Sequence, residues 1–136
     1  MIYLDSSAIV RLLIDGEAYR EDLLAYLQPR AGDPVVTSVI GYVEVCRTLI
    51  RLDVDPVRQR LAAASLADYK LVAVTDEVRR AAATLPGKAL RSLDALHVAS
   101  AQQLGALLDV LVTYDHRMID AARAAGLPVS SPGMTR

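Results

Sequence analysis

Short apolar runs alternate with longer stretches of helical spacing along this chain, and turn residues mark the changeovers. Ile2-Tyr3-Leu4 is a continuous apolar run of strand length, and Ser6-Ser7 after it can cap a helix from Ala8 to Ile14. Asp15-Gly16 breaks that helix, and Glu17 to Gln28 resumes helical spacing through Leu23, Leu24 and Leu27 until Pro29. Pro34-Val35-Val36-Thr37 predicts a second strand, and Thr37 or Ser38 a cap for a helix from Val39 to about Leu52. Val39, Val43, Cys46 and Ile50, at i, i+4, i+7 and i+11, predict the apolar band of that helix. Asp55-Pro56 is a cap followed by a first-turn proline, opening a helix over Val57 to Ala67. Leu71-Val72-Ala73-Val74 predicts a third strand, and Thr75-Asp76-Glu77 a helix that stops at Pro86-Gly87. Ser92 opens the next helix and Gly105 closes it; Asp109 to Thr113 is a fourth strand. Asp115 to Ala125 forms the last helix, and Leu127 to Ser130 a short edge strand.

Strands separated by helices predict an α/β fold of three layers, a mostly parallel sheet of four to five strands with helices on both faces. At 136 residues the chain is one ordinary domain, long enough to bury about two-thirds of its unfolded surface. It shows no repeat of fixed period and no low-complexity tract. Composition narrows the chemistry. With no Phe or Trp and six Tyr, the core is aliphatic and few rings remain to stack on nucleobases. The single cysteine, Cys46, excludes an internal disulfide and a Cys-based zinc site, and packing as a small hydrophobe is its expected part. No apolar run approaches the ~20 residues that span a bilayer, and the opening Met-Ile-Tyr-Leu-Asp lacks the basic and apolar regions of a secretion signal. A cytoplasmic protein with no membrane partner is expected.

Four carboxylates stand where one element gives way to the next: Asp5, Glu44, Asp94 and Asp115. In an open parallel sheet the loops at the carboxyl ends of the strands converge on one crevice, so these acids can meet. Converging carboxylates repel, and a hard divalent cation is the usual reason a fold tolerates them. Each also has a plainer reading. Asp5 and Asp115 can cap helices, Asp94 suits a helix's first turn, and Glu44 can pair with Arg47 on its own helix. Random capping would scatter Asn, Ser and Thr among such positions, so four acids in these settings favour a site.

The net charge of −1 hides any local basic rim, for which Arg11, Arg47, Arg51, Lys88, Arg91 and Arg117 are candidates. Ser6 and Thr113 lie within two residues of an acid and can orient a water or a ligand oxygen. His97, three residues after Asp94, reads as a satisfied interior side chain, and His116 as an exposed loop residue. Tyr42 and Tyr114 read as boundary residues.

Four segments together resemble the PIN-domain nucleases, and among them the VapC toxins of toxin–antitoxin pairs: Ile2-Tyr3-Leu4-Asp5-Ser6-Ser7-Ala8; Thr37-Ser38 to Glu44-Val45; Leu93-Asp94-Ala95-Leu96-His97-Val98-Ala99-Ser100-Ala101; and Leu111-Val112-Thr113-Tyr114-Asp115-His116-Arg117-Met118. They occur in family order and the likeness spans nearly the whole chain, implying a single PIN domain over residues 1–136. The resemblance implies a metal-dependent endoribonuclease whose acidic quartet is Asp5, Glu44, Asp94 and Asp115. It implies Asp5, Asp94 and Asp115 as ligands of one or two Mg²⁺ ions, which Mn²⁺ may replace, and Glu44 acting through water or orienting the nucleophile. Ser6, Thr113, Arg91 and Arg117 then support the ligands or the substrate. Where some relatives carry a further acid, this chain has Arg117, which leaves the number of ions open. RNA cut to a 5′-phosphate and a 3′-hydroxyl, a VapB-type antitoxin covering the crevice, and a homodimer that joins antitoxin in a heterotetramer or larger assembly are also implied. The mean hydropathy of +0.28 is compatible with apolar surface buried beyond a monomer's core.

Two rival classes fit less well. A haloacid-dehalogenase-like phosphatase expects a second Asp two residues after the first, where Ser7 stands, and a phosphorelay receiver wants paired early acids. A PIN-like module that binds RNA or protein without cleaving is the alternative, and retention of all four acids argues against it.

Overall fold

The computed structural model describes residues 1–134. It holds β1 (Ile2–Leu4), α1 (Ser6–Leu13), α2 (Arg20–Leu27), β2 (Val35–Ser38), α3 (Val39–Arg51), α4 (Pro56–Leu66) and β3 (Lys70–Val72). These are followed by α5 (Asp76–Thr84), α6 (Ser92–Gln103), β4 (Val110–Val112), α7 (His116–Ala124) and β5 (Val129–Ser130). Capping chemistry sets most helix starts as the sequence predicts. Ser38, Asp55 and Thr75 cap α3, α4 and α5 by accepting from backbone N–H groups of the first turn. At α1 the cap is Asp5, so the helix begins two residues earlier than the Ser6-Ser7 reading places it. Pro29 does not end the second helix abruptly but sits in a tight 3-10 turn over Gln28–Arg30.

The five strands form one parallel sheet in the order β3-β2-β1-β4-β5. Chain connection runs outward from β1 through β2 to β3, then crosses back to β4 on the other side of β1. The carboxyl ends of β1 and β4 therefore flank the topological switch point, where open α/β sheets form their crevice.

Both faces of the sheet are covered. Ile2 and Leu4 of β1, with Val110 and Val112 of β4, pack against Ala8, Ile9, Leu23, Val45, Leu49 and Leu66 of the first four helices. Tyr3 and Leu111, pointing the other way by the two-residue alternation of a strand, pack with Val98 and Ala101 of α6 and Met118 and Ala122 of α7. Helix α5 lies against α6. Leu71 of the edge strand β3 is exposed.

Helix α3 departs from the expected register. Its buried positions are Gly41, Val45 and Leu49, while Val43 and Ile50 of the predicted band are exposed. The helix carries two apolar stripes, and the stripe containing the glycine turns inward because only it lets the backbone come close. A Cβ on Gly41 would land on Thr37 Oγ1 and lie 3.1 Å from His97 Cε1. Among the described residues no helix is long and apolar enough to cross a membrane.

Candidate active site

Asp5 follows β1 directly, and its backbone N–H donates to Val112 O at 3.2 Å, carrying the β1–β4 ladder one residue further. Its side chain is 1% exposed. Oδ1 accepts from Ala8 N at 2.9 Å and from Ser7 Oγ at 2.7 Å, and Oδ2 accepts from Thr113 Oγ1 at 2.5 Å. Burial pushes the carboxyl above the ordinary aspartate range; a charge on His97, when its ring is protonated, and the bonds from Thr113, Ser7 and Ala8 pull the other way without cancelling it. A carboxylate has about four acceptor positions, so three donors leave Asp5 one lone pair, on Oδ2.

Thr113, buried just past β4, ties two acids together: it donates to Asp5 and accepts from Asp115 N at 3.2 Å. Asp115 caps α7 through Oδ1, which accepts from Arg117 N at 2.9 Å and Met118 N at 3.4 Å. The Arg117 guanidinium lies 3.8 Å from the same oxygen. The capping reading of Asp5 and Asp115 holds, and a helix N-terminus at a strand's end keeps each carboxylate in place.

Asp94 stands in the first turn of α6, partly buried, with no hydrogen-bond or ion-pair partner among the described residues. Its carboxyl is also pushed upward, by burial first and then by the charge of Asp115, with His97 opposing and Asp5 and Glu44 adding to the rise. The other three acids all act on Asp94, although they come from the ends of β1 and β4 and from α3. Glu44, Asp94 and Asp115 line one crevice of about 380 Å³ together with Arg91, Ser92, Leu93 and Arg117. Asp5 is not on the crevice wall. A larger cavity of about 560 Å³ lies near Leu24, Leu27 and Val35 and gathers no cluster of acids.

Glu44 projects from α3, and the expected pair with Arg47 is not what holds it. His97 Nε2 lies 2.6 Å from Glu44 Oε1, and the Tyr3 hydroxyl lies 2.7 Å from His97 Nδ1. His97 is the satisfied interior side chain expected, and His116 is exposed. The partnership with Glu44 has no signal in local spacing, since the two are 53 positions apart. Gly41, a glycine within an apolar helix, was the available hint of a close approach there.

Two supporting positions shift. The hydroxyl that reaches Asp5 is that of Ser7, which also accepts from Tyr114 N at 3.1 Å; Ser6 makes no such bond among the described residues. Arg11 is a structural side chain, bonded to Ser7 O and Ala18 O and lying 4.3 Å over the Tyr114 ring, so it is no part of a free basic rim. Arg91 and Arg117 do border the acids, and Lys88 lines a neighbouring cavity of about 360 Å³ that shares Arg117.

No group of three His, Cys, Asp or Glu side chains among the described residues forms a ready-made ligand cage. The donor set nonetheless suits a hard cation. It is all carboxylate, with one lone pair on Asp5, an unpartnered Asp94, and an Asp115 whose Oδ2 accepts no hydrogen bond from the described residues. Mg²⁺ is commonly held by only one or two carboxylates with water completing its octahedron.

A model of the PIN domain matches residues 2–124. The chain is 42% identical over 131 residues to Ribonuclease VapC46 of Mycobacterium tuberculosis, covering 96% of this chain and 97% of the relative. It is 37% identical over 138 residues to Ribonuclease VapC47 of the same species, covering all of both. Among solved structures it superposes on FitAcB from Neisseria gonorrhoeae with a TM-score of 0.76 at 22% identity, over 97% of this chain and 98% of that one. It superposes on Mycobacterium tuberculosis VapC20, described as a sarcin-ricin loop cleaving toxin, with a TM-score of 0.73 at 20% identity, over 93% and 96%.

Proposed function

The chain belongs to the PIN-domain family, and from that premise we propose that it is an endoribonuclease, the toxin of a VapBC-type toxin–antitoxin pair, using Mg²⁺ or Mn²⁺. The observation that carries the reading is geometric: Glu44, Asp94 and Asp115 line one crevice with Arg91 and Arg117, and Thr113 ties Asp115 to Asp5 at the ends of β4 and β1. Relatives named ribonucleases, matched from end to end, supply the substrate class.

In this reading Asp5, Asp94 and Asp115 would hold the ion: Asp5 is oriented by three donors and Asp115 by the amides of α7, while Asp94, in the first turn of α6, keeps its carboxylate unpartnered among the described residues. A bound divalent cation supplies Lewis acidity toward the scissile phosphate and makes water a better nucleophile. Glu44 orients the attacking water or accepts its proton. Arg91 and Arg117, at the edge of the same crevice, bind the phosphates flanking the cut. Shape and charge rather than base-reading side chains select the RNA.

A VapB-type antitoxin is the partner that the VapBC complexes among the structural neighbours support. Val43 and Ile50 on α3 and Val57 and Leu61 on α4 are large apolar side chains left exposed, which supports burial by a second chain. The test is cleavage of transfer and ribosomal RNA by the protein freed of antitoxin. Mg²⁺- or Mn²⁺-dependent cleavage that disappears in Asp5→Asn and Asp94→Asn, with the fold intact, is expected; undiminished cleavage in those variants overturns the assignment.

A further inference from the structure

Tyr3 is the middle residue of β1 and points away from the core of its neighbours Ile2 and Leu4, into the layer that contains α6. There its hydroxyl meets His97 Nδ1 at 2.7 Å, with the two rings edge to face. A tyrosine hydroxyl carries its proton near neutral pH and can donate to a ring nitrogen. On the other side of the ring, Nε2 lies 2.6 Å from Glu44 Oε1. An ionised carboxylate only accepts, so Nε2 carries a proton and donates; in the neutral ring Nδ1 must then accept from Tyr3. The sheet, α6 and α3 are joined by one directed chain, Tyr3 to His97 to Glu44.

The chain is rigid at its root and open at its tip. Tyr3 and His97 are essentially unexposed, whereas the Glu44 side chain is 24% exposed and borders the crevice. Gly41 admits the imidazole to this position. A long, flexible glutamate on a helix face has many rotamers; a fixed donor on Oε1 selects one and leaves Oε2 as the acceptor for a water.

We propose that His97 is a positioning residue for the reaction: anchored by Tyr3, it fixes the carboxylate of Glu44 at the edge of the acidic crevice. The proposal rests on the ribonuclease reading above, and its test has one arm that requires no cleavage.

In that arm, ¹⁵N-resolved NMR of the metal-free, antitoxin-free protein reads the His97 ring directly. A protected, downfield Hε2 proton that moves on Glu44→Gln is expected. An Nδ1–H tautomer, or a ring signal that Glu44→Gln leaves unmoved, overturns the link. The second arm is a double-mutant cycle in steady-state RNA cleavage. His97→Ala is expected to lower kcat about 10- to 100-fold while KM changes less than about threefold. His97→Gln, which puts an amide donor near the place of Nε2, restores most of the rate. In a Glu44→Gln background His97→Ala costs less than about twofold, because the residue it acts through is already altered. The same loss in both backgrounds, or no rescue by a folded His97→Gln, assigns His97 to structure alone and overturns the proposal. If the wild-type protein cleaves no RNA, the ribonuclease reading fails, and the NMR arm still decides whether His97 holds Glu44.

Discussion

Replacing Thr113 by Val removes one hydroxyl from the centre of the site with little change of shape. That hydroxyl donates to a carboxylate oxygen of Asp5, and both side chains are essentially unexposed. Water cannot take its place without opening the junction of β1 and β4. A hydrogen bond to a charged group contributes about 1.5–3 kcal/mol. Thr113 Oγ1 also accepts from Asp115 N, a partly buried donor whose loss adds up to about 1 kcal/mol. The expected cost is therefore about 1.5–4 kcal/mol, or roughly 5–15 °C in Tm for a domain of this size. Asp5→Asn turns the buried charge into a neutral amide, and Thr113→Val in that background should cost about 1 kcal/mol less. Urea denaturation of the four proteins measures both numbers. A Thr113→Val penalty below about 0.5 kcal/mol, or one identical in the two backgrounds, refutes the reasoning that this hydroxyl serves the Asp5 charge.

Other consequences follow from the same contacts. Asp5 and Asp94 both have folded-state pKa values above the ordinary 3.8, so the folded protein binds more protons than the unfolded chain between those values. Stability in the presence of chelator should therefore fall as pH rises from about 4 through the raised values, and Asp94→Asn should flatten that fall; urea midpoints measured against pH check the sign. Gly41→Ala would gain about 1 kcal/mol in helix propensity on an open helix, but the collision with Thr37 and His97 outweighs it, and a net loss of about 1–3 kcal/mol in denaturant titration is expected. Arg91→Ala and Arg117→Ala should each weaken RNA binding and reduce the slope of log affinity against log salt by about one, read by fluorescence anisotropy at several ionic strengths.

Much of the architecture was legible because it is written locally. The run Ile2-Tyr3-Leu4, the caps at Ser38, Asp55 and Thr75, and the alternation of strand and helix all depend on neighbours a few residues apart. What was misread depends on choices made at long range. Helix α3 has two apolar stripes, and periodicity alone could not say which turns inward; a glycine able to pass Thr37 and His97 decided it. The bond of Ser7 to Asp5 follows from Asp5 being the cap of α1, which places its carboxylate over the helix's first turn. Helical spacing offers Glu44 only Arg47 and Arg51 as neighbours, whereas the partner that holds it, His97, arrives on another helix. Glu44, Asp94 and Asp115 line one crevice and Asp5 does not, while Asp5 and Asp115 follow β1 and β4, which strand order places side by side.

The convergence of those acids is most directly measured by Mn²⁺ binding to the antitoxin-free protein, followed by electron paramagnetic resonance. One saturable site is expected, weakened at least about tenfold by Asp94→Asn and by Asp115→Asn in proteins that melt no earlier than the wild type. Equal affinity in the wild type and both variants would contradict a single site built from carboxylates at the ends of β1 and β4 and on α6.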